Sequence, residues 1–413
     1  MSRNVGPLLA LLAAEMVSVS GSLVTRVALP WFVLATTGSV GRMSLVLAVQ
    51  MLSMALWGIP GGAFAARLGT RSFMRLADGT RAVLVASVPL LHWLNWLTLP
   101  VLLVLVFLMG GFFTPYYASQ RVLLPEIVGE DERLLARANT LLVTANRVTL
   151  LVGAPLGGVL VAAFGAQKAL WIDAASFLVS FLLISLFVKA GKVPPATIGR
   201  GEFFAGIRFL WQDRVLRLWT VANIGFEMAW QCVFAAVPIL AFSRYDDDPR
   251  VVGILLAVFG VGAVAGNAAV LPLMKVLKPI RLMIVGAVAE SLVLWVAVID
   301  LHAVTFGCVL CLGGLFMGFI EGPTTALQTG RTPPGLRPQS MSAFMTLTLV
   351  AGASALTMTG PAFSAFDPRI PFAVVASLYS VGTLLLIVST AWLSNGPEAE
   401  AVSVSVGKTE DPV

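Results

Sequence analysis

Hydrophobic residues recur along this chain in long runs separated by short charged loops. A helix crossing a bilayer needs about 20 consecutive apolar residues. Twelve runs meet that length, roughly at 6–35, 43–66, 76–98, 99–120, 139–163, 168–188, 215–243, 251–274, 282–300, 304–326, 341–363 and 371–393. The pattern predicts an all-α membrane protein with twelve transmembrane helices in two six-helix halves. The first run is overlong for a bilayer, which predicts tilt or a bend. The largest internal break, 189–214, divides the runs six and six. The expected units are an N-terminal half (1–188), a linker (189–214), a C-terminal half (215–393) and a polar, disordered cytoplasmic tail (394–413). In the linker, Phe203, Phe204, Ile207, Leu210 and Trp211 share one helical face. That face fits a helix lying on the cytoplasmic surface of the bilayer, or a buried helix coupling the halves. Segments 43–67 and 251–275 have the same length, and Glu15-Met16 is echoed by Glu227-Met228, a faint internal repeat that agrees with two halves.

Polar residues inside these runs are the informative exceptions. In the first run Glu15, Ser18, Ser22 and Arg26 stand at i, i+3, i+7 and i+11, one stripe on an otherwise apolar helix. An ionisable group at mid-bilayer costs about 2.5–3.5 kcal/mol on insertion scales, so such residues face a protein interior or a wet cavity. Three helical turns separate Glu15 from Arg26 by about 16 Å, too far for a direct ion pair. In the seventh run Thr220, Asn223, Glu227 and Gln231 repeat the same spacing. Glu321 precedes Pro323 near the cytoplasmic end of the tenth run, where gating or capping competes with a coupling role. In the fourth run Phe112, Phe113, Tyr116 and Tyr117 suit a cavity for hydrophobic or cationic ligands, or plain packing.

Composition narrows the class. Of 413 residues, 58% are hydrophobic and 12% charged. A soluble domain carries about 25% charged residues, so a soluble enzyme or nucleic-acid-binding domain is excluded. The net charge of +6 sits in inter-helix loops. Nineteen of the 27 Lys and Arg fall in alternate loops and the termini, five in the opposite loops, and Arg26, Arg81 and Arg147 lie within runs. The imbalance places both termini in the cytoplasm. Trp31, Trp93, Trp96 and Trp171 fall at expected outer interfaces, as an aromatic belt requires. The first run is too long for the apolar region of a signal peptide, so no cleaved leader is expected. Cys232, Cys308 and Cys311 sit in apolar runs and read as packing residues. No phosphate-binding loop, catalytic triad or zinc-ligand spacing occurs. The expectation is therefore a non-enzyme without cofactor or metal, driven by an ion gradient.

Between the second and third runs stand Gly61, Gly62, Arg67, Gly69 and Arg71. In the fifth run Gly153, Pro155, Gly157 and Gly158 follow Arg147. The first set resembles the signature loop of the major facilitator superfamily, and the second resembles the antiporter motif of its exporters. Ala28-Leu29-Pro30-Trp31, Asp173-Ala174-Ala175-Ser176-Phe177 and Phe209-Leu210-Trp211 extend the likeness toward macrolide-efflux-like and enterobactin-exporter-like members. The resemblance covers residues 5–393. It implies that the first, fourth, seventh and tenth spans line a central cavity. It also implies a latch acid in the signature loop, where this chain has Ala66. Asp78 and Arg81, at i and i+3 in the third span, are the expected substitutes and fit the D-x-x-R of drug exporters. The fourth span, 99–120, lacks the basic residue found in many drug–proton antiporters.

The expected function is a secondary active transporter in a bacterial inner membrane. It would export amphiphilic small molecules by alternating access in exchange for protons and work as a monomer without nucleic acid. Glu15, Arg26, Asn223, Glu227, Gln231 and Glu321 are the expected substrate and coupling residues. Two rivals remain open: an exporter of anionic, siderophore-like cargo that would lean on Arg26 and Arg147, and a lipid or lysolipid flippase of the same fold.

Overall fold

A computed structural model gives the fold and describes residues 5–128, 141, 142, 145, 149, 153, 155–188, 202–245, 248–274, 276–299, 301–333 and 336–395. The described regular elements are helices: α1 (Val5–Thr37), α2 (Val40–Leu68), α3 (Thr70–Trp93), α4 (Leu99–Gly111), α5 (Phe113–Val128), α6 (Pro155–Phe164), α7 (Ala166–Phe187), α8 (Glu202–Gln212), α9 (Arg214–Arg244), α10 (Pro249–Leu273), α11 (Pro279–Ile299), α12 (Ala303–Arg331), α13 (Arg337–Ala365) and α14 (Arg369–Asn395). In hydrocarbon the helix satisfies its own backbone, which is why apolar runs become helices.

Among the described residues, ten helices are long and apolar enough to cross a membrane. The other two of the twelve expected spans are the third and the fifth. The third expected span is α3, 24 residues long but carrying Arg71, Arg75, Asp78 and Arg81 in its first half. The fifth lies partly outside the described residues, and only α6 is continuous. The fourth expected span is broken at Phe112 into α4 and α5. Pro115 has no N–H to give the Gly111 carbonyl, which removes one helical hydrogen bond at this break.

Helices α1–α7 pack among themselves, with α7 against α1 and α3. Helices α9–α14 form a second group, with α12 against α10 and α11, and α14 against α9. The α10–α12 seam is two interlocked small-residue faces. Gly262 and Gly266 face the backbone of Cys311 and Leu315, while Gly314 and Gly318 face the backbone of Phe259 and Gly266. No side chain larger than hydrogen fits between backbones this close. The two groups meet through α2 on α13, where Gly360 abuts Gly41 and Gly352 abuts Met51. They also meet where Gly158 of α6 abuts Gly253 of α10, and where Trp31 lies edge-on to Phe242 at 6.0 Å. All these contacts lie in the half of the bundle that holds the α1–α2 and α9–α10 turns.

Trp31 departs from expectation. It is buried at the seam, whereas Trp93, Trp96 and Trp171 are exposed as belt residues would be. The first span is interior, so its end tryptophan meets protein instead of the interface. Exposed Val83, Leu186, Leu292, Val304 and Met358 give the bundle the apolar surface that lipid solvates. In the linker, α8 packs on α13 and α9. Leu210 is fully buried beside Leu216 and Ala343, and Gly206 sits against the backbone of Gln339. Trp211 stays exposed. Asp213 then caps α9, accepting from the N–H groups of Val215 (2.8 Å) and Leu216 (3.0 Å). It also pairs with Arg331 of α12 at 3.0 Å.

Candidate functional site

The stripe on α1 lines a cavity of about 110 Å³. Glu15, Ser18, Ser22 and Arg26 form one wall, and Arg81 of α3 with Phe113, Tyr116 and Tyr117 of α5 form the other. Helical spacing put the four α1 residues on one face, and the packing of α1 against its neighbours turned that face inward. Glu15 and Ser18 are buried, whereas Arg26 is exposed to the cavity although Thr25 and Val27 beside it are buried. Ser22 Oγ donates to the Ser18 carbonyl at 2.9 Å.

Behind this cavity lies a polar core. Asp78 accepts from Ser180 Oγ at 2.7 Å and from the Tyr116 hydroxyl at 3.3 Å. Asp173 accepts from Thr25 Oγ1 at 2.5 Å and from Ser176 Oγ at 3.1 Å. The Arg81 guanidinium lies over the Phe177 ring at 4.7 Å and the Tyr116 ring at 5.9 Å. Asp78 thus ties α3 to α5 and α7 within the first helix group, and its hydrogen bonds do not reach the second group as a latch would require. Asp173 ties α1 to α7. Arg71 Nη2 donates to the Ser185 carbonyl at 2.7 Å, anchoring the start of α3 to the end of α7. Gly62 lies within α2, Arg67 is exposed at its end, and Gly69 makes the turn into α3 with φ +85°. A side chain there would be strained, which accounts for glycine at that turn.

The stripe on α9 is only partly assembled into a site. Gln231 Nε2 donates to Glu227 Oε1 at 2.7 Å, and both side chains are partly buried. Thr220 and Asn223 turn back to the carbonyls of Leu216 and Trp219. Glu321 is exposed on α12. The antiporter-like glycines serve close packing: Gly153 faces Leu23, Gly157 lies against Val24 of α1, and Gly158 meets α10. Pro155 begins α6, and Arg147 lies outside the described residues.

This arrangement is a bundle of apolar helices with charged groups turned into its interior. The model of the transmembrane secretion effector family matches residues 7–409. The chain belongs to that family, within the major facilitator superfamily. It is therefore a multi-pass membrane transporter and not an enzyme. Among relatives of this secretion effector, the multidrug efflux pump Tap of Mycolicibacterium fortuitum is 27% identical over 376 residues, covering 86% of this chain and 89% of Tap. Tap of Mycobacterium tuberculosis is 27% identical over 390 residues, covering 90% and 91%. The fold is shared with the nucleoside transporter NupG (TM-score 0.70, 11% identity, 94% of this chain and 99% of that one). It is also shared with the fucose transporter FucP (TM-score 0.62, 16% identity, 94% and 99%).

Glu290 and Asp173 are buried carboxylates outside the polar stripes of α1 and α9. Glu290 is fully buried on α11 and accepts a hydrogen bond from Trp230 Nε1 of α9. Tyr379 of α14, stacked on Phe226 at 4.3 Å, lies beside the same carboxylate. The available signal was the carboxylate itself in the middle of an apolar run.

Proposed function

We propose that this transmembrane secretion effector exports amphiphilic small molecules across a bacterial inner membrane by alternating access, in exchange for protons. The observation that carries the reading is the cavity on α1, which joins two charged ends, Glu15 and Arg26, to an aromatic wall of Phe113, Tyr116 and Tyr117. Such a site accepts an apolar body and orients a polar one. The similarity to Tap, named as a multidrug efflux pump, supports export over import.

The loop charges put both termini in the cytoplasm. The end of the bundle where Gly41 meets Gly360 and Trp31 meets Phe242 is then the outer end, and it is closed in the described state. Cargo enters from the cytoplasm or inner leaflet, and rocking of one helix group on the other opens the outer end. Protons entering from outside neutralise Glu227, paired with Gln231, or Glu15. A neutral carboxyl is cheaper to enclose in low dielectric, so its protonation biases the rocking equilibrium. The protein works as a monomer on this reading.

Proton release from purified, weakly buffered protein tests the coupling on addition of macrolides, tetracyclines, lipophilic cations and catecholate siderophores. Release by one class, lost in Glu227→Gln or Glu15→Gln, is the expected result. Binding without release in the wild type overturns proton exchange and leaves a uniporter or flippase.

A further inference from the structure

Arg26 is set apart from the other charged groups of the first helix group. It stands near the middle of the 33-residue α1, and its guanidinium keeps its proton at every physiological pH. At that depth a charge is paired, faces water or meets a ligand. Asp78 and Asp173 are held by hydroxyl donors, and Arg81 lies over aromatic rings with both aspartates within electrostatic reach. Among the described residues, no carboxylate lies within 4.0 Å of Arg26, and none accepts a hydrogen bond from it. The titratable group facing it electrostatically is the Tyr117 phenol. Its exposure is exposure to the cavity, which it lines with Ser22, Leu23, Phe113 and Tyr117.

We infer that Arg26 is the recognition point for an anionic group on the cargo, a carboxylate, sulfonate or phosphate, whose apolar body lies against Leu23, Phe113 and Tyr117. The inference rests on the reading of this cavity as the cargo site. A guanidinium offers a planar fork of donors that matches such oxyanions two bonds at a time. Glu15, at the other end of the stripe about 16 Å away, repels an anion there and fixes the orientation of the bound molecule. The cargo on this basis is an anionic or zwitterionic amphiphile, not a simple lipophilic cation.

The test uses the full chain in phosphatidylcholine nanodiscs and a matched pair of fluorescent probes, 11-dansylaminoundecanoate and its methyl ester. Wild-type protein is expected to bind the carboxylate at least about tenfold more tightly than the ester. Arg26→Gln is expected to bind the two alike, and Arg26→Lys to keep part of the preference. Should Arg26→Gln fail to assemble, Ser22→Glu places a carboxylate one turn from Arg26 and is expected to erase the preference by pairing with it. Equal affinities in the wild type overturn the role of Arg26 while leaving amphiphile binding intact. A preference that survives in Arg26→Gln or in Ser22→Glu assigns the anion to another group and also overturns it. Failure of both probes to bind overturns this inference together with the cavity reading. Competition separates the sources of the anion in a supporting result. Stronger displacement by lysophosphatidylglycerol than by dodecanoate assigns it to a lipid headgroup, and the reverse assigns it to a free amphiphile.

Discussion

Two buried carboxylates in this transporter, Glu290 and Asp78, are held by neutral donors on other helices. Glu290 on α11 takes a hydrogen bond from Trp230 on α9, and Asp78 on α3 takes bonds from Ser180 on α7 and Tyr116 on α5. Removing one donor leaves the acceptor buried and short of a partner, at a cost of about 1–3 kcal/mol. Trp230→Phe is therefore expected to lower the midpoint of thermal unfolding in detergent. Adding Glu290→Leu should recover part of the loss, because the acceptor left without its donor is then removed as well. An equal midpoint in Trp230→Phe and wild type would contradict a hydrogen bond of structural weight. The stripe Glu15, Ser18, Ser22 and Arg26 was legible because helical periodicity is a property of one segment. The Glu290–Trp230 bond was not, because its partners are 60 residues apart and meet only through helix packing.

At the scale of elements, backbone proximity organises the bundle. Gly262 and Gly266 on α10 and Gly314 and Gly318 on α12 have the same four-residue spacing and face one another. Lipid gives helices no hydrophobic reason to associate, so close packing between small residues supplies the attraction. Gly314→Val would drive a side chain into the Phe259 carbonyl and the Ala263 N–H. Overpacking of this kind costs about 1–3 kcal/mol, read as a lower unfolding midpoint. Gly260, whose added Cβ would meet nothing within 4 Å, serves as the control and should tolerate alanine with little change. The spacing of these glycines can be read from the chain, but their pairing cannot, since several spans carry similar small residues. The antiporter-like motif shows the same limit. Its glycines stand out in the chain as a motif, and the structure assigned their partners, α1 for Gly157 and α10 of the other helix group for Gly158.

For the whole molecule, the decisive feature is that the two helix groups touch in the half of the bundle holding the α1–α2 turn. An added Cβ at Gly360 would lie 2.6 Å from the Cα of Gly41 across that seam, closer than side-chain atoms come to backbone. Gly360→Val is therefore expected to keep the seam from closing, at a cost of about 1–3 kcal/mol in overpacking, and to lower transport in proteoliposomes. Full transport by Gly360→Val would show that this close contact is not needed in the cycle.

The chain by itself determined that this is a helical membrane protein, because insertion free energy sums residue by residue over about 20 positions and needs no knowledge of the neighbours. It also marked which polar groups lie out of place in hydrocarbon, for the same additive reason. Only the tertiary structure decided what those groups face. It turned Arg26 toward a cavity and left it without a carboxylate among the described residues. It enclosed Asp78 within one helix group and drew Trp31 from the expected interface into the seam. Such choices depend on which helix faces pack together, and that is a property of all the helices at once.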